Sequence, residues 1–204
     1  MIAEIEKYKK LNLKAKDSRL LEEWELIMKR FSNNEEISII IREWNPNGLP
    51  VDYEINYKIR SFCGVKEKDE NGLEHPIYAN EFIMRITIPE NFPSCDSKPY
   101  FCFMTEDFLK INKIPHPLHP TIQYYGDYPG RVSLNLAAFG TFADLAVFIE
   151  QIALYLKYEK YHAVLVEPYP QDLKVAEWVR EQAEPNGWIE ELKNNYQVSN
   201  INNN

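Results

Sequence analysis

Residues 82–93 read Phe82-Ile83-Met84-Arg85-Ile86-Thr87-Ile88-Pro89-Glu90-Asn91-Phe92-Pro93, and residues 98–105 read Lys98-Pro99-Tyr100-Phe101-Cys102-Phe103-Met104-Thr105. Side chains alternate sides along an extended chain, so Phe82, Met84, Ile86 and Ile88 share one face, and a strand is predicted over Glu81–Ile88. A further short strand is predicted over Tyr100–Met104. Upstream, the alternation is cleaner still. Val51, Tyr53, Ile55, Tyr57 and Ile59 interleave with Asp52, Glu54, Asn56, Lys58 and Arg60. That period predicts one strand over Val51–Phe62 with one buried face and one wet face. A shorter Ile-rich strand, Ile37–Glu43, precedes the turn Asn45-Pro46-Asn47-Gly48. Between the two longer strands, the charged stretch from Lys66 closes at Asn71-Gly72, a hairpin tip.

Helices flank these strands. Leu20, Leu21, Trp24, Ile27, Met28 and Phe31 recur at helical spacing and predict a helix over Ser18–Phe31, with Asp17 or Ser18 as cap. Thr141–Lys157 is predicted as a long helix with Thr141 as N-cap, Asp144 near its positive end, and a buried stripe of Phe142, Leu145, Phe148 or Ile149, Ile152 and Leu156. Asp172–Glu184 forms another, broken by Pro185-Asn186-Gly187, and Trp188–Asn195 one more. Lys113–Gly130, rich in Pro, His, Tyr and Gly, has no periodicity and is read as a long ordered loop, the kind of segment that carries function. Strands followed by helices indicate an α+β domain with a mostly antiparallel sheet. Ser199–Asn204 is compositionally biased and is expected to be disordered.

The chain has 204 residues, 23 Lys and Arg and 31 Asp and Glu, a net charge of −8. That balance argues against non-specific nucleic-acid binding, which needs clustered cations. The seven glycines form neither GxGxxG nor GxxxxGK[ST], which excludes those phosphate cradles. Cys63, Cys95 and Cys102 are odd in number and none is spaced as CxxC, which points to a reducing cytosol. The first ten residues mix charges and do not read as a secretory leader. The uncharged run from Val132 ends at Asp144, well short of the ~20 residues of a membrane span, so no membrane partner is expected.

Taken together, these stretches resemble ubiquitin-conjugating enzymes. Ser18-Arg19-Leu20-Leu21-Glu22-Glu23-Trp24 is similar to the family's opening helix. The two stretches quoted first look like its third and fourth strands with the Pro-rich link between them. His119-Pro120-Thr121-Ile122 is similar to the family's His-Pro-Asn-Ile, and Gly130-Arg131-Val132-Ser133-Leu134 to its Gly-x-Ile-Cys-Leu. The resemblance covers about residues 18–160. It implies a UBC-like four-stranded antiparallel meander flanked by helices. By this reading residues 1–17 are an N-terminal extension, 161–198 a C-terminal helical extension and 199–204 a tail. It also implies a carrier that accepts a ubiquitin-like protein from an activating enzyme and passes it to an amine on a protein target, without a cofactor. Arg19, Glu22 and Glu23, expected on the polar face of the first helix, would meet the activating enzyme.

Three departures set the chain apart. Ser133 stands at the nucleophile's position, Thr121 replaces the Asn that supports the oxyanion, and Tyr124-Tyr125-Gly126-Asp127 looks inserted between His119 and Ser133. The last two point to a divergent branch, such as the bacterial ubiquitin-conjugating-like proteins. A thiol with a pKa near ~8.5 supplies a thiolate without a dedicated base, whereas a serine hydroxyl needs one. No GxSxG surrounds Ser133. Ser133 is read first as an engineered Cys→Ser exchange that keeps the shape and removes the thiolate. The alternatives are a natural non-catalytic variant that binds a ubiquitin-like protein as an adaptor, and a serine with no role. His116 and His119, three apart with no third ligand, are read as loop histidines rather than a metal site. Tyr124, Tyr125 and Tyr128 form either a binding surface beside Ser133 or a packed lid. Glu167 and Asp172 either orient an incoming lysine or are simply solvated. Cys102 is expected in the core, and Cys63 and Cys95 in incidental roles.

Overall fold

The computed structural model describes residues 2–9, 11, 13–92, 98–104, 116–134, 144–167 and 169–201. Two short-range patterns dominate it, period two along the strands and an apolar stripe along the helices. They build two units: Met1–Tyr57, Ile83–Cys102 and Leu134–Gln151 in the first, and Lys58–Phe82, Phe103–Ser133 and Ile152–Asn204 in the second.

In the first unit, α1 (Ile2–Tyr8) precedes α2 (Ala15–Phe31), which lies against β1 (Ile37–Trp44) and β2 (Pro50–Tyr57). The predicted stripe is the buried face of α2, with Trp24 and Ile27 fully enclosed. The predicted cap is not used. Lys14 occupies that position without a side-chain bond, because the helix begins three residues earlier. Asp17 instead accepts hydrogen bonds from the side-chain amides of Asn45 (3.1 Å) and Asn47 (2.8 Å), tying the helix to the β1–β2 turn.

Strands β1 and β2 pair antiparallel from Ile37↔Tyr57 to Trp44↔Pro50, with a bulge after Ile41. With β5 (Phe82–Thr87) and β6 (Tyr100–Phe103) they form a four-stranded antiparallel sheet in the order β1-β2-β5-β6. The polar side of β2 is not wet as the alternation suggested. Asp52 is 1% exposed and Glu54 9%. Arg85 Nε donates to both Asp52 oxygens at 2.8 and 2.9 Å, Thr87 Oγ1 donates to Oδ2 at 2.8 Å, and Arg42 lies 3.7 Å from Glu54. Paired charges from the neighbouring strands cover this face, and the pairing offsets the burial of Asp52.

Strand β2 ends at Tyr57, five residues before the predicted strand does, and the chain re-enters extended structure as β3 (Ser61–Val65), paired with β4 (Pro76–Ala79) in a separate two-stranded sheet. The cause is Phe62. Its ring belongs to the second unit's core, 4.9 Å from Tyr158, 5.3 Å from Tyr78 and 5.5 Å from Trp178. The β3–β4 connection turns at the predicted tip. Asp69 Oδ1 accepts the Asn71 and Leu73 amides at 2.8 and 2.9 Å, and Gly72 has φ +80°. Strand β4 carries no signal beyond four residues and was not anticipated.

Helix α3 (Leu145–Leu156) buries Leu145, Phe148, Ile149, Ile152 and Leu156. Thr141 and Phe142 lie outside the described residues. Asp144 itself caps, accepting the Val147 amide at 2.9 Å. The helix closes on a paired bond motif, Tyr158 N to Tyr155 O at 2.9 Å and Glu159 N to Leu154 O at 3.0 Å. Its left-handed residue is Tyr158, φ 55°, where glycine is usual. A tyrosine there costs about 1–2 kcal/mol of backbone energy, offset by a fully buried ring whose hydroxyl donates to Leu118 O. Helix α4 (Leu173–Trp178) continues as a π-helical turn, Val179–Ala183, and α5 (Trp188–Ile201) follows a break at Gly187. Val175, Trp178, Val179, Ile189 and Leu192 from these helices join Phe62, Leu118 and Tyr158 in one apolar cluster.

Candidate functional site

Residues 116–133, all in the second unit, carry most of the sequence-predicted site. They contain no helix, and their regular pairing is short. Gln123 N donates to Arg131 O at 2.8 Å, Gly130 N to Gln123 O at 2.8 Å, and Ser133 N to Thr121 O at 2.9 Å, around the bridge Ile122↔Val132. This miniature antiparallel ladder throws Tyr124–Pro129 out as a closed loop. Ser133 sits at the open end of the ladder with its side chain exposed. Its amide is held by Thr121 while the residue is open to solvent.

Gly130 makes the ladder possible. Its φ is +86°, and a Cβ there would lie 2.3 Å from Phe103 O and 2.9 Å from His116 Cε1. Only a residue without a side chain both turns the chain and lets Phe103 N reach Gly130 O at 2.8 Å.

His119 is completely buried, stacked on Tyr155 at 5.2 Å and edge-on to Tyr158 at 4.8 Å. Its Nδ1 accepts the Thr121 amide at 3.1 Å, so Nε2 carries the proton and donates to Lys160 O at 3.1 Å. Burial pushes its pKa down to about 3, partly opposed by the Lys160 carbonyl. The ring is neutral and both nitrogens are committed, so His119 supplies no general base to Ser133. Below a pH of about 6.5 the unfolded chain binds a proton that the folded chain refuses. Stability present at neutral pH is therefore lost as pH falls from about 6.5 towards 3. We expect about 2 kcal/mol less stability at pH 5 than at pH 7 from this group. Urea midpoints measured against pH for the wild type and His119→Gln check it, and equal pH slopes would contradict it.

Asp172 organises the loop from outside. It is 5% exposed. Its Oδ2 accepts the amides of Tyr124 (2.8 Å) and Tyr125 (2.7 Å), its Oδ1 accepts the Val175 amide (3.2 Å), and its own amide donates to Pro120 O (3.0 Å). One carboxylate thus caps α4 and clamps the loop. Neither reading of Asp172 as a solvated acid or as a guide for lysine fits a group so enclosed, whereas Glu167 is exposed. The Asp-Leu-Lys start of a helix signals the cap, but nothing local signals the loop 48 residues away.

Tyr124 and Tyr125 differ in burial. The Tyr124 hydroxyl donates to Cys63 O at 2.9 Å, and burial pushes its pKa up to about 12, so it is packed as a lid would be. Tyr125 and Tyr128 are 41% and 63% exposed. Cys63 is half-buried and burial pushes its thiol up to about 11, which leaves almost no thiolate at neutral pH. Cys102 is half-buried on β6, and Cys95 lies outside the described residues. Among the described residues, no three His, Cys, Asp or Glu side chains gather as a metal ion would require.

The remaining predicted residues belong to the first unit, on α2. Glu22 is exposed and Arg19 half-buried, with 3.4 Å between their charged groups. Glu23 is not on a polar face, as the spacing suggested, but fully buried. Its Oε2 accepts the Leu145 amide at 2.7 Å, satisfying a free donor of the first turn of α3, and its other oxygen pairs with Arg19. Burial pushes its carboxyl above the usual range, against the Leu145 bond and the Arg19 charge.

No protein-family model matches the sequence, and no curated protein is similar to it in sequence. Similarity lies in the fold. A protein assigned as a ubiquitin-conjugating enzyme from Plasmodium yoelii superposes with a TM-score of 0.53 at 18% identity, over 90% of this chain and 94% of that one. The ubiquitin-conjugating enzyme Pex4p of H. polymorpha, solved with the soluble domain of Pex22p, gives 0.53 at 13% identity, over 88% and 94%. The chain therefore has the UBC fold, an α+β fold with a four-stranded antiparallel sheet, as the resemblance in sequence implied.

Proposed function

We propose that this protein is a ubiquitin-conjugating-like carrier of the divergent bacterial type, with Ser133 standing where the acceptor cysteine belongs. It would receive a ubiquitin-like protein from an activating enzyme and pass it to an amine on a protein target in a reducing cytosol. The observation that carries the reading is Ser133 itself, a solvent-facing side chain on a backbone held by the Thr121 hydrogen bond, within a UBC fold. On α2, Glu22 and Arg19 are the accessible candidates for the activating enzyme, with Glu23 holding Arg19 from beneath. Thr121 lends the ladder its carbonyl, and His119 fixes the Thr121 amide. Both act as positioning residues.

A second reading, a non-catalytic adaptor that binds a ubiquitin-like protein, draws support from His119. With that ring neutral and enclosed, the Ser133 hydroxyl has no base among the candidate residues, so an ester would form slowly at best. Ser133→Cys separates the two. With activating enzyme, modifier and ATP, the carrier reading expects an adduct that reductant removes, while the serine protein forms little adduct, and that little resists thiols. A Ser133→Cys protein that stays unmodified beside a charged activating enzyme favours the adaptor. An adduct mapped to Cys63, Cys95 or Cys102 moves the nucleophile elsewhere.

A further inference from the structure

Alongside the Tyr124–Pro129 loop, the second unit holds a groove of about 400 Å³ between the β3–β4 hairpin and α4. Its floor is rigid. Trp178 Nε1 donates to Glu74 O at 3.0 Å, and Gln182 Oε1 accepts the Glu74 amide at 2.7 Å. Its flank is the π-helical turn Val179–Ala183, a rare form that recurs at functional sites. The Tyr125 and Trp178 rings and three carboxylates, Glu74, Glu177 and Glu181, line it. Glu177 is exposed and, among the described residues, makes no ion pair, whereas Glu181 is paired with its exposed neighbour Arg180 at 2.9 Å, a contact an incoming ammonium would share.

Two lysines also border the groove, and one of them shows what it accepts. The Lys174 ammonium lies 5.3 Å from the centroid of the Tyr125 ring. The chain thus already places one of its own cations on the aromatic wall, in the geometry by which a ring face attracts an ammonium. Carboxylates stand at the same end: after burial, the charges of Asp172 and Glu74 push the Tyr125 phenol upward. Lys68, on the hairpin, is the other cation.

We propose that this groove binds a peptide segment through a lysine side chain, with its ammonium between Glu177 and Glu181 and its aliphatic stem against Trp178 and Tyr125. Long basic side chains bury their stems on apolar walls while the charged end meets carboxylates. Lys174 is then an internal competitor. The inference rests on the carrier reading only in naming the segment as part of a target protein.

The groove's sign makes the test decisive. A blocked Gly-Ser-Lys-Ser-Gly peptide, its acetyl-lysine form and its glutamate form are titrated into the full chain, and the Trp178 indole N–H is followed by NMR. The lysine peptide is expected to shift that signal saturably and the other two are not. Glu177→Gln with Glu181→Gln should weaken binding at least about fivefold, and Lys174→Gln should tighten it about two- to threefold by removing the competing charge. These positions are exposed, and an unchanged set of the remaining indole signals certifies folding. Absence of a saturable shift at about 10 mM peptide, equal binding of the acetylated form, or tighter binding of the glutamate peptide would overturn the proposal. No activating enzyme is present, so this result is independent of the Ser133→Cys experiment.

Discussion

Gly130→Ala is expected to lower the unfolding free energy by about 3–5 kcal/mol. Two costs combine. The positive φ costs an L-residue about 1–2 kcal/mol. The methyl group would also meet the Phe103 carbonyl at 2.3 Å, a backbone atom that cannot rotate away. Relieving the clash stretches the Phe103 N to Gly130 O bond and opens the ladder that carries Ser133. Gly72→Ala is the matched control. Its φ is also positive, +80°, but nothing lies within 4 Å, so it should cost only about 1 kcal/mol. Urea midpoints at constant m measure both. Equal losses would show that the Phe103 contact contributes nothing.

Asp172→Ala is expected to cost about 3 kcal/mol and to release the loop selectively. The substitution strands the amides of Tyr124, Tyr125 and Val175, and leaving a buried donor unpaired costs about 1–3 kcal/mol each, less where water enters. Exchange of the Tyr124 and Tyr125 amides should accelerate by about a hundredfold, the equivalent of roughly 2.7 kcal/mol. Asp172→Asn should fall between, because an amide offers one acceptor oxygen and keeps either the loop or the cap. Residue-resolved hydrogen exchange decides it. Unchanged exchange at Tyr124 and Tyr125 would refute the clamp.

The strands of the four-stranded sheet and the main helices were legible because their signals are local. Phe82, Met84 and Ile86 alternate with solvent-facing neighbours, and Leu20, Trp24 and Ile27 recur at helical spacing, so each face could be assigned from its own segment. What escaped the sequence depends on partners distant in the chain. Asp52 and Glu54 looked wet because Arg85 and Arg42 were not known to lie opposite. Glu23 looked exposed because its partner, the Leu145 amide, is 122 residues away. His119 was legible as a motif member but not as an enclosed neutral ring, since Tyr155 and Tyr158 come from a helix end. The π-helical turn at Val179–Ala183 has no side-chain signature at all. The candidate site was thus readable as a position, and its chemistry became readable only with burial and hydrogen bonding.

The Asp172 clamp also orders events in time. Tyr124 and Tyr125 are synthesised before the carboxylate that holds them, separated from it by 48 and 47 residues. At a ribosomal rate of about 5–20 residues per second, the loop waits roughly 2–10 seconds for its counterpart. A chain arrested within that interval would present residues 116–134 without the clamp, and it could settle only once the start of α4 had emerged. A carboxylate translated later than the loop therefore licenses the segment on which any chemistry would depend.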